Sequence, residues 1–285
     1  MVADVQGGAV DRRFAGGTVM VLILVAILCV PAAVGRSVWG SAAPAVHVDP
    51  RPEPGDCLAP LQTPDQLNSV FDVVPPVPCS TPHSAEVLAV GTLDARTWPK
   101  RPAVGDAAFT GGALSQRCDQ LAGRFLGWGV KNALPRINVS FFTRLTVPGD
   151  VEWKLGQRWY SCELMPGVLD FPISYRGTAR NASTGTPPGA FANCSDGPGE
   201  LAVSCDRPHH AELLTRSYSR IPPTADYCRR LVSSVIGTAD PTFGGQLALL
   251  ARGDSGLSSC WVTTTSSRSL TATLINHGSA PLPLN

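Results

Sequence analysis

Apolar positions fall along the chain in three kinds of pattern. Residues 14–35 carry no charge, and the run from Val19 to Leu28 at their centre is wholly apolar. A stretch of that length matches the ~20 residues an α-helix needs to cross ~30 Å of hydrocarbon. Further on, Leu114, Cys118, Leu121, Ala122 and Phe125 recur at three- and four-residue spacing, and Tyr227, Cys228, Leu231, Val232 and Val235 do the same. This periodicity predicts two amphipathic helices, each with one face against a core. Trp159-Tyr160 before Cys162, and Trp261-Val262-Thr263-Thr264-Thr265 after Cys260, have the aromatic and β-branched composition of strands.

The long apolar run changes the address of everything after it. Arg12 and Arg13 precede it, so the positive-inside bias places residues 1–17 in the cytoplasm, a signal-anchor helix at 18–36 in the membrane, and the rest outside. Small residues at Pro31-Ala32-Ala33-Val34-Gly35 and at Ser41-Ala42-Ala43 offer cleavage sites, which leaves a secreted form as the alternative. The uncleaved anchor is preferred because the run exceeds the 7 to 15 apolar residues of an ordinary signal peptide. Cys29 is read as an inert membrane cysteine, since Leu28 stands where a lipoprotein signal wants a small residue. Pro44, Pro50, Pro52 and Pro54 stiffen a stalk at 37–54, Asn181 to Gly189 lies within an expected linker at 171–191, and a polar, Pro-rich tail at 278–285 is expected to fray.

Composition narrows the classes further. Only 16% of the 285 residues are charged, and 28 Gly and 26 Pro make the chain loop-rich, yet 44% hydrophobic content can bury a core. Among 23 basic residues only Lys100, Lys131 and Lys154 are lysine, a codon bias of GC-rich bacteria. Beyond residue 36 acidic and basic residues balance, so no electrostatic footprint for nucleic acid exists. No phosphate loop, dinucleotide fingerprint or paired-carboxylate signature occurs, and no small-molecule cofactor is expected.

Eight cysteines besides Cys29 form two sets, Cys57, Cys79, Cys118 and Cys162, then Cys194, Cys205, Cys228 and Cys260. Around the second of each set the text repeats without a gap: Cys79-Ser80-Thr81-Pro82-His83-Ser84-Ala85-Glu86 against Cys205-Asp206-Arg207-Pro208-His209-His210-Ala211-Glu212. The third cysteines both open a helical pattern. Each set thus reads as a hairpin, a helix and a closing strand pair, giving two tandem α+β modules at 55–170 and 192–277. Even cysteine numbers in exported modules argue for disulfides. Four cysteines allow three pairings per module, and the sequence does not choose among them. The pairing expected is Cys57 with Cys79 and Cys194 with Cys205 across each hairpin, then helix to strand, Cys118 with Cys162 and Cys228 with Cys260.

Gly55-Asp56-Cys57-Leu58, Val77-Pro78-Cys79 leading into Pro82-His83-Ser84-Ala85-Glu86-Val87, Cys118, and Trp153-Lys154-Leu155-Gly156-Gln157-Arg158 before Cys162 together resemble the septum formation domain family. The resemblance covers residues 55–165. In the second module Asn193-Cys194-Ser195 replaces the opening, and the Trp-x-x-Gly-x-Arg stretch, whose ends here are Trp153 and Arg158, is missing. That family comprises membrane-anchored extracytoplasmic domains, found largely in actinobacteria, without a defined activity. The resemblance implies an envelope protein connected with growth or division.

Two sharper chemistries compete with a structural role. His83 with Glu86 and His209 with Glu212 have the residue types of an acid/base pair, and Cys79-x3-His83 has tolerable zinc spacing. Thiolate ligands would have to survive in an oxidising compartment, and repetition of the pair in both modules favours a fold-defining interaction, with each imidazole bonded to nearby backbone. Gly253-Asp254-Ser255-Gly256 resembles a serine-protease nucleophile loop, but Leu257 follows where a glycine belongs. Trp98, Trp128, Trp153 and Trp159 are expected mostly in the core, a minority lining a peptide or glycan groove. The expectation is therefore binding rather than catalysis, with no catalytic residue and no metal; the alternative is an extracytoplasmic hydrolase or metal-binding protein using His83/Glu86 or His209/Glu212.

Overall fold

Short β-branched and aromatic runs beside the cysteines pair into two antiparallel sheets, one for each repeat, and each sheet carries a helix. In a computed structural model the described residues are 51–285, apart from 69–73, 104–105, 129–136, 169–172, 199, 201, 219–222 and 255–256. The expected membrane helix at 18–36 and the stalk up to residue 50 lie outside them. Among the described residues no helix is long and apolar enough to cross a membrane.

The first copy runs β1 (Cys57–Leu58), α1 (Pro64–Asn68), β2 (Pro76–Val77), β3 (Ala85–Thr92), α2 (Ala107–Thr110), α3 (Ala113–Phe125), β4 (Phe141–Thr146), α4 (Asp150–Lys154) and β5 (Trp159–Pro166). Its strands lie in the order β2-β1-β3-β5-β4. The second runs β6 (Cys194–Ser195), β7 (Ala211–Tyr218), α5 (Ala225–Ile236), β8 (Leu247–Asp254) and β9 (Leu257–Thr264), ordered β6-β7-β9-β8. The fold is α+β. β3 and β7 carry the same irregularity, between Val87 and Ala89 and between Leu213 and Thr215, so the duplication extends to a shared bulge.

The helices match as closely. Cys118 and Ala122 of α3 and Cys228, Val232, Val235 and Ile236 of α5 are buried, at the spacing that makes one face. Tyr227, expected on the inner face of α5, is instead 40% exposed, because the first turn is set by the Thr224 cap, whose side chain accepts from the Tyr227 N–H. Both helices end on a glycine with positive φ, Gly127 (+90°) and Gly237 (+83°), the left-handed conformation that a side chain would strain.

All four disulfides follow the expected pairing, Cys57–Cys79, Cys118–Cys162, Cys194–Cys205 and Cys228–Cys260. Two join the ends of β1 and β6 to the chain before β3 and β7, and two pin a helix to the strand beneath it. Wherever such a bond closes a loop it restricts the unfolded chain.

Two boundaries differ from expectation. Ile173, Tyr175, Ala179, Ala182, Ala190 and Phe191 all fall in the stretch read as a linker, and each is at most 4% exposed. They join Leu164 of the first copy and Leu214, Val232, Val262 and Leu270 of the second in one apolar cluster. Both copies therefore belong to one compact unit. Phe191 and Leu270 are fully buried, and burying a side chain of that size contributes about 1.5–3 kcal/mol, which an independent, solvated linker would forgo. The tail does not fray: Leu284 pairs with Leu270, Asn285 accepts from the Ser269 N–H, and Arg268 donates to the carbonyls of Leu284 and Asn285.

Candidate functional site

Pro82-His83 and Pro208-His209 stand just before β3 and β7, where the residue preceding proline is held extended and feeds the chain into the sheet. Each histidine is fully buried. His83 Nδ1 lies 2.9 Å from the Thr81 carbonyl and His209 Nδ1 2.7 Å from that of Arg207. A carbonyl only accepts, so Nδ1 carries the proton in both. Nε2 of each is buried without a hydrogen-bond partner among the described residues. Burial pushes the His209 pKa down, opposing the imidazolium.

The backbone of each histidine captures a later segment of its own copy. His83 exchanges both main-chain hydrogen bonds with Tyr175, and His209 does so with Leu270. Three residues past each histidine a buried carboxylate finishes the task. Glu86 accepts from the Tyr175 hydroxyl (3.0 Å), the Thr178 hydroxyl (2.6 Å) and the Ala179 N–H (2.6 Å). Glu212 accepts from the Thr273 hydroxyl and from the Leu274 N–H (2.8 Å). Burial raises the Glu212 pKa to about 7 against the two bonds that favour its charge. In the first copy burial, and then the neighbouring Glu86 charge, push the Tyr175 pKa well up.

The captured segments correspond residue for residue. Thr178-Ala179-Arg180-Asn181 matches Thr273-Leu274-Ile275-Asn276. Asn181 (φ +61°) and Asn276 (φ +56°) are both left-handed and donate their N–H groups to the carbonyls of Phe125 and Val235, at the ends of α3 and α5. Two positions on, the N–H groups of Ser183 and Gly278 satisfy Leu126 and Ile236. The stretch read as a linker and residues 270–278, at the end of the second module as read, thus form the same closing strap, one in each copy, held by the Pro-His-x-x-Glu repeat. Sequence inspection missed the strap residues; the repeated Thr-x-x-Asn was the available signal.

Among the described residues the cysteines that could serve zinc are bonded in disulfides. Ligand atoms of Cys194, Cys205 and His209 lie within 4.8 Å of one another, but both sulfurs are consumed in a disulfide, as is that of Cys79 beside His83. Trp153 and Arg158 are brought together: the guanidinium sits 4.0 Å from the centre of the indole and donates to the Trp153 and Gln157 carbonyls, closing the loop after α4 onto the Cys118–Cys162 core. Of the Gly253 to Gly256 stretch, Asp254 ends β8 and Ser255-Gly256 lie outside the described residues. The tryptophans divide: Trp153 and Trp159 are buried, whereas Trp128 is 50% exposed. No protein-family model, curated protein or solved structure matches this chain.

Proposed function

We propose that the chain is a membrane-tethered extracytoplasmic binding or scaffold protein of the bacterial cell envelope, serving septum formation or division through an envelope partner rather than by catalysis. The observation that supports this most is the enclosure of every acid/base candidate. His83, His209 and Glu212 are fully buried, Glu86 is 5% exposed, and all four hold the straps. A reacting group must reach its substrate within hydrogen-bond distance. Four disulfides in a chain whose first 36 residues read as a signal anchor fit an oxidising exterior.

The test uses intact cells of an actinobacterial host. An impermeant amine-reactive ester should label the exposed Lys100 and Lys154, with the chain at full mass in the membrane fraction. Labelling that requires lysis contradicts the topology, and loss of residues 1–36 replaces the tether with the secreted form. Exchanging His83 and His209 for Gln should lower the melting temperature; abolition of a turnover in chain that remains folded would favour the hydrolase alternative.

A further inference from the structure

The C-terminal end of α3 presents the largest exposed aromatic of the described residues. Trp128 is 50% exposed, although its main chain is fixed by an N–H bond of 2.7 Å to the Gly123 carbonyl and its ring meets Phe141 edge to face at 5.1 Å. Gly123 is what admits the indole: a Cβ there would come within 3.1 Å of Trp128 Cε3. A tryptophan held in this way with half its surface in water is not part of the apolar core, and Trp is enriched where a ring meets a partner on one side and water on the other.

The second copy supplies an internal control. The four positions that build the helix end, Cys118, Ala122, Leu126 and Gly127, have buried or left-handed counterparts in Cys228, Val232, Ile236 and Gly237. The next residue is Thr238, whose N–H bonds the Ser233 carbonyl just as Trp128 bonds that of Gly123. The fold therefore does without an aromatic at this position. Asp119, Gln120 and Arg124 are likewise replaced, by Arg229, Arg230 and Ser234.

Around Trp128 these replaced residues line an open groove of about 540 Å³, within the roughly 300–1,000 Å³ of ligand clefts. Asp119 is steadied by the Thr143 hydroxyl and the Arg124 Nε donates to the Gln120 carbonyl at 3.3 Å. One carboxylate, one amide and one guanidinium leave the groove without net charge, which disfavours phosphate and simple cations. A flat indole flanked by planar groups that both donate and accept suits a neutral polyhydroxylated ring, with its C–H face stacked on the indole and its hydroxyls bonded at the sides.

We infer that the groove of Asp119, Gln120, Gly123, Arg124 and Trp128 binds a neutral pyranose oligosaccharide. This rests on the proposed envelope role and names the chemistry of the partner. The experiment is titration calorimetry of the full chain in detergent with chitotetraose and with cellotetraose. Binding of at least one with a Kd of about 1 mM or tighter is expected, weakened at least about 10-fold by Trp128→Ala and retained by Trp128→Tyr, with melting temperatures matching the parent. No heat with either sugar, or an unchanged Kd in Trp128→Ala, overturns the inference. Its failure leaves the surface-labelling result standing, and a soluble secreted form that binds the sugar would overturn the tether alone.

Discussion

The two copies solve one position in opposite ways. On the sheet face away from α3, Arg144 of β4 lies opposite Glu163 of β5, one residue from the Leu145–Cys162 pair. At the matching place in the second copy, one residue from Ala251–Cys260, Leu250 lies opposite Trp261. Arg144 and Glu163 form a buried ion pair of 2.7 Å, with Ser161 donating to the carboxylate and Arg144 donating to the Gln66 carbonyl. Leu250 and Trp261 instead pack with Ala211 and Leu213. The difference follows from the hairpins. Cys57 and Cys79 are 22 residues apart and enclose α1, which supplies the Gln66 carbonyl and covers the face; Cys194 and Cys205 are 11 apart and enclose no helix among the described residues. One backbone thus accepts a charged or an apolar pair, and what decides is the segment laid over it.

Breaking the charged solution gives the largest expected effect. Arg144→Leu should cost about 3–5 kcal/mol in denaturant unfolding, since it strands a buried carboxylate, while adding Glu163→Met should recover most of the loss. A double variant no better than the single one would mean that the pair is not equivalent to its apolar counterpart.

The disulfides come next. Replacing Cys118 and Cys162 by Ala, which opens a separation of 44 residues, should cost about 4 kcal/mol by loop entropy, against about 3 kcal/mol for Cys194 and Cys205, separated by 11. Equal losses would show that native packing, rather than loop length, sets their worth.

The second strap responds to pH. Glu212 titrates near 4.5 when unfolded and at about 7 when folded. Between those values the folded chain keeps a proton that the unfolded chain has lost, so this contribution is fully present below pH 4.5 and is lost as pH rises through 7. The difference amounts to about 3 kcal/mol. Glu212→Gln should flatten that fall, because the Thr273 hydroxyl can turn to accept from the amide while Leu274 still donates. Persistence of the full slope in the variant would assign it to another group.

The smallest effect is local. Asn181→Ala and Asn276→Ala should each cost about 1 kcal/mol, as a left-handed residue loses its preferred side chain. A loss confined to one variant would show that the straps are not equivalent.

How much was legible depended on the kind of signal. The cysteine repeat and the three- and four-residue periodicity carried the two copies and most of each helix face, because both depend on local geometry, whereas the choice among three disulfide pairings per copy was decided by the fold. The straps were not legible. Residues 173–184 are rich in small and polar types and read as linker, and only bonds to Glu86 and to the end of α3, distant in sequence, bury them. Nothing in the sequence around Arg144 announced the buried ion pair that α1 covers. Trp128 continues a helix that is apolar on one face, so its exposure depends on what stands opposite. His83 and Glu86 were visible as a repeat, and their role was fixed only once Tyr175 and Thr178 were placed against them.

The central claim is that two copies of one strapped module share one apolar cluster and stand or fall together. Differential scanning calorimetry of the full chain, its disulfides intact, tests this directly. A single transition with equal calorimetric and van't Hoff enthalpies is predicted, moving as a whole to lower temperature in Phe191→Ala, whose parent side chain lies between the copies. Two separate transitions, only one of which moves in that variant, would contradict it.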